Sequence, residues 1–179
     1  KNLILPGVSG SSDNISKYSG ALLDMCRRKG VKICKLGGGD YIDLGSGVRM
    51  DFLLPGEESK SDENENSLVG MLEHGDFCAL FTGDIAKYTE KKKKKGVLKS
   101  DVLKVPHHGS GRSSSEEFLK AVQPKVSIIS VGKNNYGHPS PDTLKRLGAS
   151  GSLVYSTDKN GAEIVTTDGK SMKVRTVRQ

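Results

Sequence analysis

Short apolar runs, each bounded by glycine, proline or acidic residues, recur from one end of the chain to the other. Runs of this kind, rich in Val, Ile and Leu, predict β-strands. The expected strands cover residues 2–6, 31–36, 41–44, 48–54, 67–73, 77–82, 101–105, 126–131, 152–156, 162–167 and 172–177.

The glycine-rich turns between these runs predict how neighbouring strands pair. Residues 31–54 read as a meander of three strands, and residues 67–82 as an antiparallel hairpin that turns at His74-Gly75-Asp76. Residues 152–156 and 162–167 are expected to pair as a second hairpin, and residues 172–177 to extend that sheet beyond Asp168-Gly169. Residues 55–65 are acidic and show no periodicity, which is typical of an exposed loop.

Helical spacing of apolar residues marks four stretches. Residues 13–29 have this spacing, with Ser12 or Asp13 as the N-cap, and residues 85–95 are compatible with a helix. The serines at 113–115 followed by Glu116 and Glu117 form an S-x-x-E capping box ahead of a short helix. Residues 141–147 form a fourth helix with proline in its first turn. Together these elements predict an α/β fold.

Composition and charge narrow the class of protein. The 179 residues contain 34% hydrophobic residues and no Trp. This composition suits a single domain whose small core is built from aliphatic side chains. The three cysteines form no CxxC pair and are expected to be buried free thiols. The net charge of +7 favours a polyanionic partner, but residues 91–95 are all lysine, and a solvated helix face explains that run equally well.

Side chains able to bind metal follow two of the expected strands. Asp84 comes after residues 77–82, and His107 and His108 come after residues 101–105. Loops held by a rigid sheet can converge on one point, and these donors suit zinc, manganese or iron. Because adjacent residues leaving a strand point in opposite directions, only one of the two histidines is expected to be a ligand.

Each of these candidates also has a purely structural interpretation. Asp84 can be the N-cap of the helix that follows it. His138, next to Pro139, can simply stabilise its loop, and Asn66 can simply end the acidic loop rather than lie at the edge of a metal cleft.

The order and spacing of four motifs resemble those of a known family. The motifs are Asn66-Ser67-Leu68-Val69, Phe81-Thr82-Gly83-Asp84, the run from Asp101 through Pro106-His107-His108-Gly109-Ser110, and Tyr136-Gly137-His138-Pro139. They resemble the metallo-β-lactamase superfamily, and within it the hydrolase-like domain of the ComEC family of bacterial competence proteins. This resemblance implies a four-layer αββα sandwich of mixed sheets flanked by helices.

One motif of the superfamily is not present in this sequence. The HxHxDH motif, which in the family supplies most ligands of two metal ions, has no counterpart among the histidines, which are His74, His107, His108 and His138. Residues 1–179 are therefore expected to be the C-terminal portion of such a domain. Ser140 stands where related sequences often have histidine, so that position is not expected to be an essential ligand.

The resemblance also implies a chemistry for the complete domain. It implies two divalent ions, zinc or manganese, and hydrolysis of DNA phosphodiesters. Asp84 would bridge the ions, His107 or His108 would be a ligand, and His138 would bind metal or protonate the leaving oxygen, with Asn66 at the cleft edge. Ser110, Arg112 and Ser113 would contact phosphate. The chain by itself is expected to bind metal weakly or not at all and to be inactive.

The partners implied are DNA bound without regard to sequence, the N-terminal half of the same domain, and the membrane channel of a bacterial cell-membrane protein. A sheet edge near residues 2–6 leads us to expect self-association of this piece. Two other functions remain open. One is a non-catalytic α/β module that binds DNA or a protein partner, and the other is a metallo-hydrolase of a different ester.

Overall fold

The computed structural model describes residues 1–7, 17–54, 63–91 and 98–178. Its strands are β1 (Asn2–Pro6), β2 (Lys32–Leu36), β3 (Tyr41–Gly45), β4 (Val48–Leu54), β5 (Val69–His74), β6 (Phe77–Phe81), β7 (Val102–Lys104), β8 (Val126–Ile129), β9 (Leu153–Ser156), β10 (Glu163–Thr167) and β11 (Met172–Thr176). Its α-helices are α1 (Lys17–Arg28), α2 (Lys87–Glu90), α3 (Glu116–Val122), α4 (Pro141–Ala149) and α5 (Thr157–Asn160), with 3₁₀ turns at Glu63–Asn66 and Pro106–Gly109.

A seven-stranded mixed sheet in the order β3-β4-β5-β6-β7-β8-β9 forms the centre of the fold. Neighbouring strands from β3 to β6 are antiparallel, whereas those from β6 to β9 are parallel. The carboxyl ends of β6, β7, β8 and β9 therefore lie at the same edge of the sheet.

Alternation along the strands gives the central sheet two buried faces. On one face Leu80, Leu103 and Ile129 are fully buried, and they pack with Phe118 of α3 and Leu147 of α4. On the other face four buried residues contact Val165, Met172 and Val174 of the β10–β11 pair, namely Phe77, Ala79, Val102 and Val126. The layers thus run helix, sheet, sheet, and the expected α/β class with a mixed sheet flanked by helices is confirmed.

The hairpin predicted between residues 152–156 and 162–167 is wrong, whereas the predicted continuation of the sheet from residues 162–167 to 172–177 is confirmed. β9 pairs in parallel with β8 in the central sheet, while β10 pairs antiparallel with β11 in a separate sheet. The turn that selects this pairing is built on Asp168, whose carboxylate accepts hydrogen bonds from the backbone N–H groups of Ser171 at 2.7 Å and Lys170 at 2.9 Å. These bonds lower the pKa of Asp168 to about 2.

Three further expectations need correction. β2 pairs in parallel with β1 rather than joining a meander with β3. The N-cap of α3 is Ser115, whose Oγ accepts from Phe118 N at 3.3 Å, so the predicted capping box does not form. The end of the predicted loop at 55–65 is a 3₁₀ turn in which Glu65 is buried, while residues 55–62 lie outside the described ranges.

Two predicted helices are described only in part. α1 begins at Lys17, so the caps predicted at Ser12 or Asp13 fall outside the described residues, as does most of the predicted helix after Lys91. Across the ranges that the structure describes, no helix has the length and apolar character needed to cross a membrane.

Candidate active site

Three loops meet at the edge formed by the carboxyl ends of β6, β7 and β8. The Thr82 hydroxyl donates to the Lys104 carbonyl at 2.7 Å, and the backbone N–H of His107 donates to the Gly83 carbonyl at 3.2 Å. These bonds tie the loop after β6 to the loop after β7. The third loop, residues 130–138, carries His138 to the same place, so Asp84, His107, His108 and His138 are brought together from three strand ends.

Asp84 and His108 face each other through atoms that both carry lone pairs. Asp84 Oδ2 lies 3.4 Å from His108 Nε2, and His108 Nδ1 lies 2.7 Å from the Ser130 carbonyl oxygen. Because a carbonyl only accepts, Nδ1 carries the proton, and in the neutral ring Nε2 is unprotonated. Two acceptors in this position call for a cation between them, either a proton on Nε2 or a metal ion. Metal-binding histidines commonly anchor their second nitrogen in this way.

Asp84 is held from its backbone rather than through its carboxylate. Its N–H donates to Ser67 Oγ at 3.1 Å, and the Ser67 hydroxyl in turn donates to the Asn64 carbonyl at 2.7 Å. Lys104 Nζ lies 3.9 Å from Asp84 Oδ1 and donates to the Gly83 carbonyl at 3.4 Å. Burial lowers the pKa of Lys104, and the charge of Asp84 opposes that shift.

The alternative role of Asp84 as a helix cap is wrong. α2 has Ala86 as its N-cap, and no side chain accepts a hydrogen bond there. The Asp84 carboxylate therefore does not cap a helix. Its two oxygens face Lys104 Nζ and His108 Nε2.

His107 and His138 present two further nitrogens. Their ring centroids are 5.8 Å apart, and within the described residues the buried Nδ1 atoms of both rings have no hydrogen-bond partner. Burial lowers the pKa of His138, and the neighbouring His107 lowers it further. A buried nitrogen without a partner is unfavourable unless something else binds it. These two atoms are consequently available to bind a group that the described residues do not supply.

The backbone of the histidine pair is not extended, so the expected alternation after a strand is wrong. His107 and His108 have φ angles of 48° and 53°, in the left-handed region, and their rings are 6.4 Å apart at 78°. Such a conformation costs energy for a residue with a side chain and occurs where the surroundings impose it. The different orientation of the two rings comes from this turn.

The donor set fits part of a metal site. Within the ranges described here, no three His, Cys, Asp or Glu side chains lie close enough to complete a site by themselves. The 3.4 Å separation of Asp84 Oδ2 and His108 Nε2 nevertheless equals the roughly 3.4 Å expected between two ligands of a tetrahedral ion with bonds of about 2.0–2.1 Å. Asp84 and His108 thus fit as two ligands of an ion whose other ligands come from elsewhere.

The groups predicted to contact phosphate are mostly internal. Ser113 is fully buried, and its hydroxyl is 3.0 Å from both the Pro106 and Ser110 carbonyls. Ser110 is also buried, and its Oγ accepts from the backbone N–H of Arg112 at 3.3 Å. Only the exposed Arg112 side chain is open to a phosphate, while the two serines shape the histidine turn.

A buried brace behind the histidine turn was not predicted. Glu90, which is 5% exposed, accepts hydrogen bonds from the backbone N–H groups of Ser114 and Ser115. Arg146 donates to the carbonyls of Ser113 at 2.9 Å and Ser114 at 2.7 Å. Burial raises the pKa of Glu90, and the bonds from the serines oppose that shift. Glu90 therefore occupies the N–H groups of Ser114 and Ser115, and Arg146 occupies neighbouring C=O groups. The two N–H groups are not open to a phosphate.

Replacing Glu90 with Gln is expected to destabilise the protein. One carboxylate oxygen becomes an NH₂ group that faces a backbone N–H, so a buried donor loses its acceptor at a cost of about 1–3 kcal/mol. Thermal unfolding should show a Tm lowered by at least about 2 °C. Glu116→Gln is the matched control, because its side chain is 69% exposed. An equal effect of the two substitutions would contradict the role assigned to Glu90.

Gly109 is the glycine on which the histidine turn depends. Its φ is +79°, and an added Cβ would lie 2.7 Å from Pro139 Cβ and 3.2 Å from Pro139 Cα. Gly109→Ala is therefore expected to lower stability by about 1–3 kcal/mol, because strain and overpacking act together. Gly132→Ala, where an added Cβ would meet nothing within 4 Å, is the control. Urea unfolding of both variants tests this, and a Gly109→Ala midpoint equal to that of wild type would refute it.

Asn66 and Tyr136 complete the surroundings of the site. Asn66 is half-buried at the end of a 3₁₀ turn, next to the Ser67 that positions Asp84. The Tyr136 ring stacks on His138 with centroids 6.0 Å apart. Lys104, Glu90 and Tyr136 were missed from sequence. A lysine at the end of an otherwise apolar strand was the available signal for Lys104, whereas nothing local marked Glu90.

Comparison with known proteins gives relatives by sequence. No family model matches the chain. It is 36% identical over 164 residues to ComE operon protein 3 of Bacillus subtilis, covering 90% of this chain and 20% of that protein. It is 39% identical over 120 residues to Competence protein ComA of Neisseria gonorrhoeae, covering 65% of this chain and 17% of that one. The chain thus spans about a fifth of the length of these relatives.

Comparison with solved structures gives the fold. A protein from Parabacteroides distasonis described as a metal-dependent hydrolase superposes with a TM-score of 0.51 at 14% identity, covering 87% of this chain and 74% of that one. CmlA, a diiron β-hydroxylase from Streptomyces venezuelae, superposes with a TM-score of 0.55 at 11% identity, covering 97% of this chain and 40% of that one. These two likenesses speak for the fold alone. By sequence, the chain therefore matches about a fifth of each competence protein of the ComEC family, and its mixed α/β fold is like that of the metal-dependent hydrolase.

Proposed function

We propose that this chain forms part of a metal-dependent phosphodiester hydrolase that cuts DNA during DNA uptake. The observation that carries the proposal is the pair of facing lone-pair atoms, Asp84 Oδ2 and His108 Nε2, with the second nitrogen of His108 anchored on the Ser130 carbonyl. Relatives named as competence proteins support DNA as the substrate, and a structural neighbour described as a metal-dependent hydrolase supports the reaction class.

The residues take the following roles in the proposed site. Asp84 would hold divalent ions, zinc or manganese, through its carboxylate, and His108 would hold one of them through Nε2. His107 and His138 lie beside them with unpaired Nδ1 atoms, and Lys104 holds the Gly83-Asp84 turn. The ions would supply an activated water and positive charge for the phosphate. Arg112 and the positive net charge of the chain attract the DNA backbone without reading its sequence.

The donors that meet at this site in the described residues are too few for two tightly held ions, since catalytic zinc sites usually have three protein ligands for each ion. We therefore propose that an HxHxDH segment of the same protein completes the ligand set. In the absence of that segment, the chain should bind metal weakly and should not cleave DNA.

The test compares the chain alone with a longer protein that also carries the HxHxDH segment. The longer protein should cleave single- or double-stranded oligonucleotides only with added Mn²⁺ or Zn²⁺, should stop with a chelator and should recover when metal returns. The chain alone should show neither cleavage nor stoichiometric metal by elemental analysis. Cleavage that resists chelation, or two tightly bound ions in the chain alone, would refute the proposal.

A second candidate function is a non-catalytic module that binds DNA. It is favoured by the net charge of +7 and by exposed basic side chains such as Arg112 and Lys133. The same experiment separates the two functions, because such a module would bind oligonucleotides in the longer protein while leaving them intact at every metal concentration. A hydrolase of another ester would cleave a phosphomonoester or lactone but not DNA.

A further inference from the structure

Tyr136 occupies an unusual position beside the histidine cluster. Its side chain is 83% exposed, yet one face of its ring stacks on His138 with centroids 6.0 Å apart and planes 28° apart. Tyr41, another exposed tyrosine, has its ring covered by the Arg49 guanidinium at 4.1 Å. Tyr136 therefore presents an open aromatic face at the entrance to the candidate active site.

The loop that carries Tyr136 is fixed by the side chain of Asn134. The Asn134 amide donates to the carbonyls of Gly132 at 2.9 Å and His138 at 2.7 Å. Its oxygen accepts from the backbone N–H groups of Tyr136 at 3.0 Å and His138 at 3.1 Å. These four bonds close the loop on itself. The exposed ring is thus already in place, and a ligand that stacks on it does not have to order the backbone.

Tyr136 lines a cavity of about 470 Å³. His108, His138, Asn134 and the exposed Lys133 line the same cavity. Binding sites for small organic groups have volumes of about 300–1,000 Å³, so one nucleotide unit fits. No carboxylate is among the described residues that line this cavity. A second groove of about 550 Å³, which shares Lys133, Asn134 and His138 with this cavity, is also lined by Asp158 and Arg178. The Asp158 carboxylate makes that groove less favourable for a phosphate.

We propose that Tyr136 is a stacking platform for an unpaired nucleobase of a DNA strand, with Lys133 binding the adjoining phosphate. This inference rests on the proposed function, because it takes DNA as the molecule at the site. Every nucleobase has a flat π-face, whereas the faces of paired bases are covered by their neighbours in the duplex. The subsite therefore selects single-stranded over double-stranded DNA. It places a strand so that the next phosphodiester runs toward His108 and His138.

The first test measures binding, without metal or cleavage. Fluorescence anisotropy with a short labelled oligothymidylate at low salt should show the Tyr136→Ala chain binding about fivefold to a hundredfold more weakly than wild type. Tyr136→Phe should bind like wild type, because it keeps the ring. Lys133→Ala should reduce the salt dependence of binding, whereas Tyr136→Ala should not. An abasic strand of the same length and charge should bind wild type and Tyr136→Ala equally.

The second test places a fluorescent side chain at position 136. The chain contains no Trp, so Tyr136→Trp introduces a single indole, whose selectively excited emission should be quenched when the oligothymidylate stacks on it. Tyr41→Trp, on the strand at the far side of the central sheet, is the matched control and should not be quenched.

The inference is overturned if Tyr136→Ala binds the oligothymidylate like wild type, if Tyr136→Trp is not quenched, or if wild type binds the abasic strand or a duplex as well as it binds the single strand. Failure of wild type to bind any single strand also overturns it. Failure of the proposed function appears elsewhere, as metal-independent or absent cleavage by the longer protein. The two ideas can therefore fail separately.

Discussion

Asp84→Asn in the longer protein is expected to reduce DNA cleavage by on the order of 10³-fold or more and to release bound metal. The substitution keeps the shape of the side chain and leaves the bond from the backbone N–H to Ser67 Oγ in place. What it removes is the negative charge that faces His108 Nε2 and Lys104 Nζ. Loss of a bridging ligand should exceed the roughly 10–100-fold cost of losing an outer-shell partner.

Elemental analysis and oligonucleotide cleavage, measured on the same preparation, test this result. Asp76→Asn is the matched control, because Asp76 is exposed in the turn at the opposite end of β6. The control should keep wild-type metal content and cleavage. An Asp84→Asn protein that retains its metal and cleaves DNA like wild type would remove Asp84 from the proposed site.

Substitution of the two adjacent histidines is expected to give unequal results. His108→Ala should weaken metal binding by about 100-fold or more, because the Nε2 atom that faces Asp84 is lost. His107→Ala should leave the metal bound but lower cleavage by about 10–100-fold, as is usual for a group that acts next to a metal ligand. This expectation rests on the 3.4 Å distance between His108 Nε2 and Asp84 Oδ2, which the sequence could not supply.

Competition with a chelator gives the metal affinity, and saturating-metal kinetics give the turnover. His74→Ala serves as the control, since His74 ends β5 at the edge of the sheet away from the site. Equal loss of metal affinity in the His107 and His108 variants would show that both are ligands. Loss only in the His107 variant would reverse the assignment.

Much of the fold was predictable because its signals are local. The runs that became β4, β6 and β8 are apolar and bounded by turn residues, and a strand is recognised from such a run without knowledge of its partner. The nearness of Asp84 to the histidine pair also followed, because both come directly after strands. The parallel pairing of β6 with β7 then places those strand ends at one edge.

The errors arose where distant parts of the chain decide the outcome. Residues 153–156 look like one arm of a hairpin, but β8 is available to them as a parallel neighbour, and the Asp168 turn pairs β10 with β11 instead. Ser115 does cap α3, but no local pattern indicates that Glu90, 24 residues before Ser114, accepts hydrogen bonds from the same serine run. The sequence also does not indicate the left-handed turn of the histidine pair, since positive φ is uncommon for residues other than glycine.

The change from antiparallel to parallel pairing at β6 also bears on the order in which the molecule folds. β3 to β6 are joined to their neighbours by short connections, apart from the longer one between β4 and β5, so much of that half-sheet has contacts that are local in sequence. β7, β8 and β9 each pair in parallel with the preceding strand, so a crossover connection must close before each pair forms. Closing these longer loops makes the pairing slower. Asp84, His107, His108 and His138 all lie after β6. These four side chains of the candidate active site therefore belong to the half of the sheet that is expected to fold last.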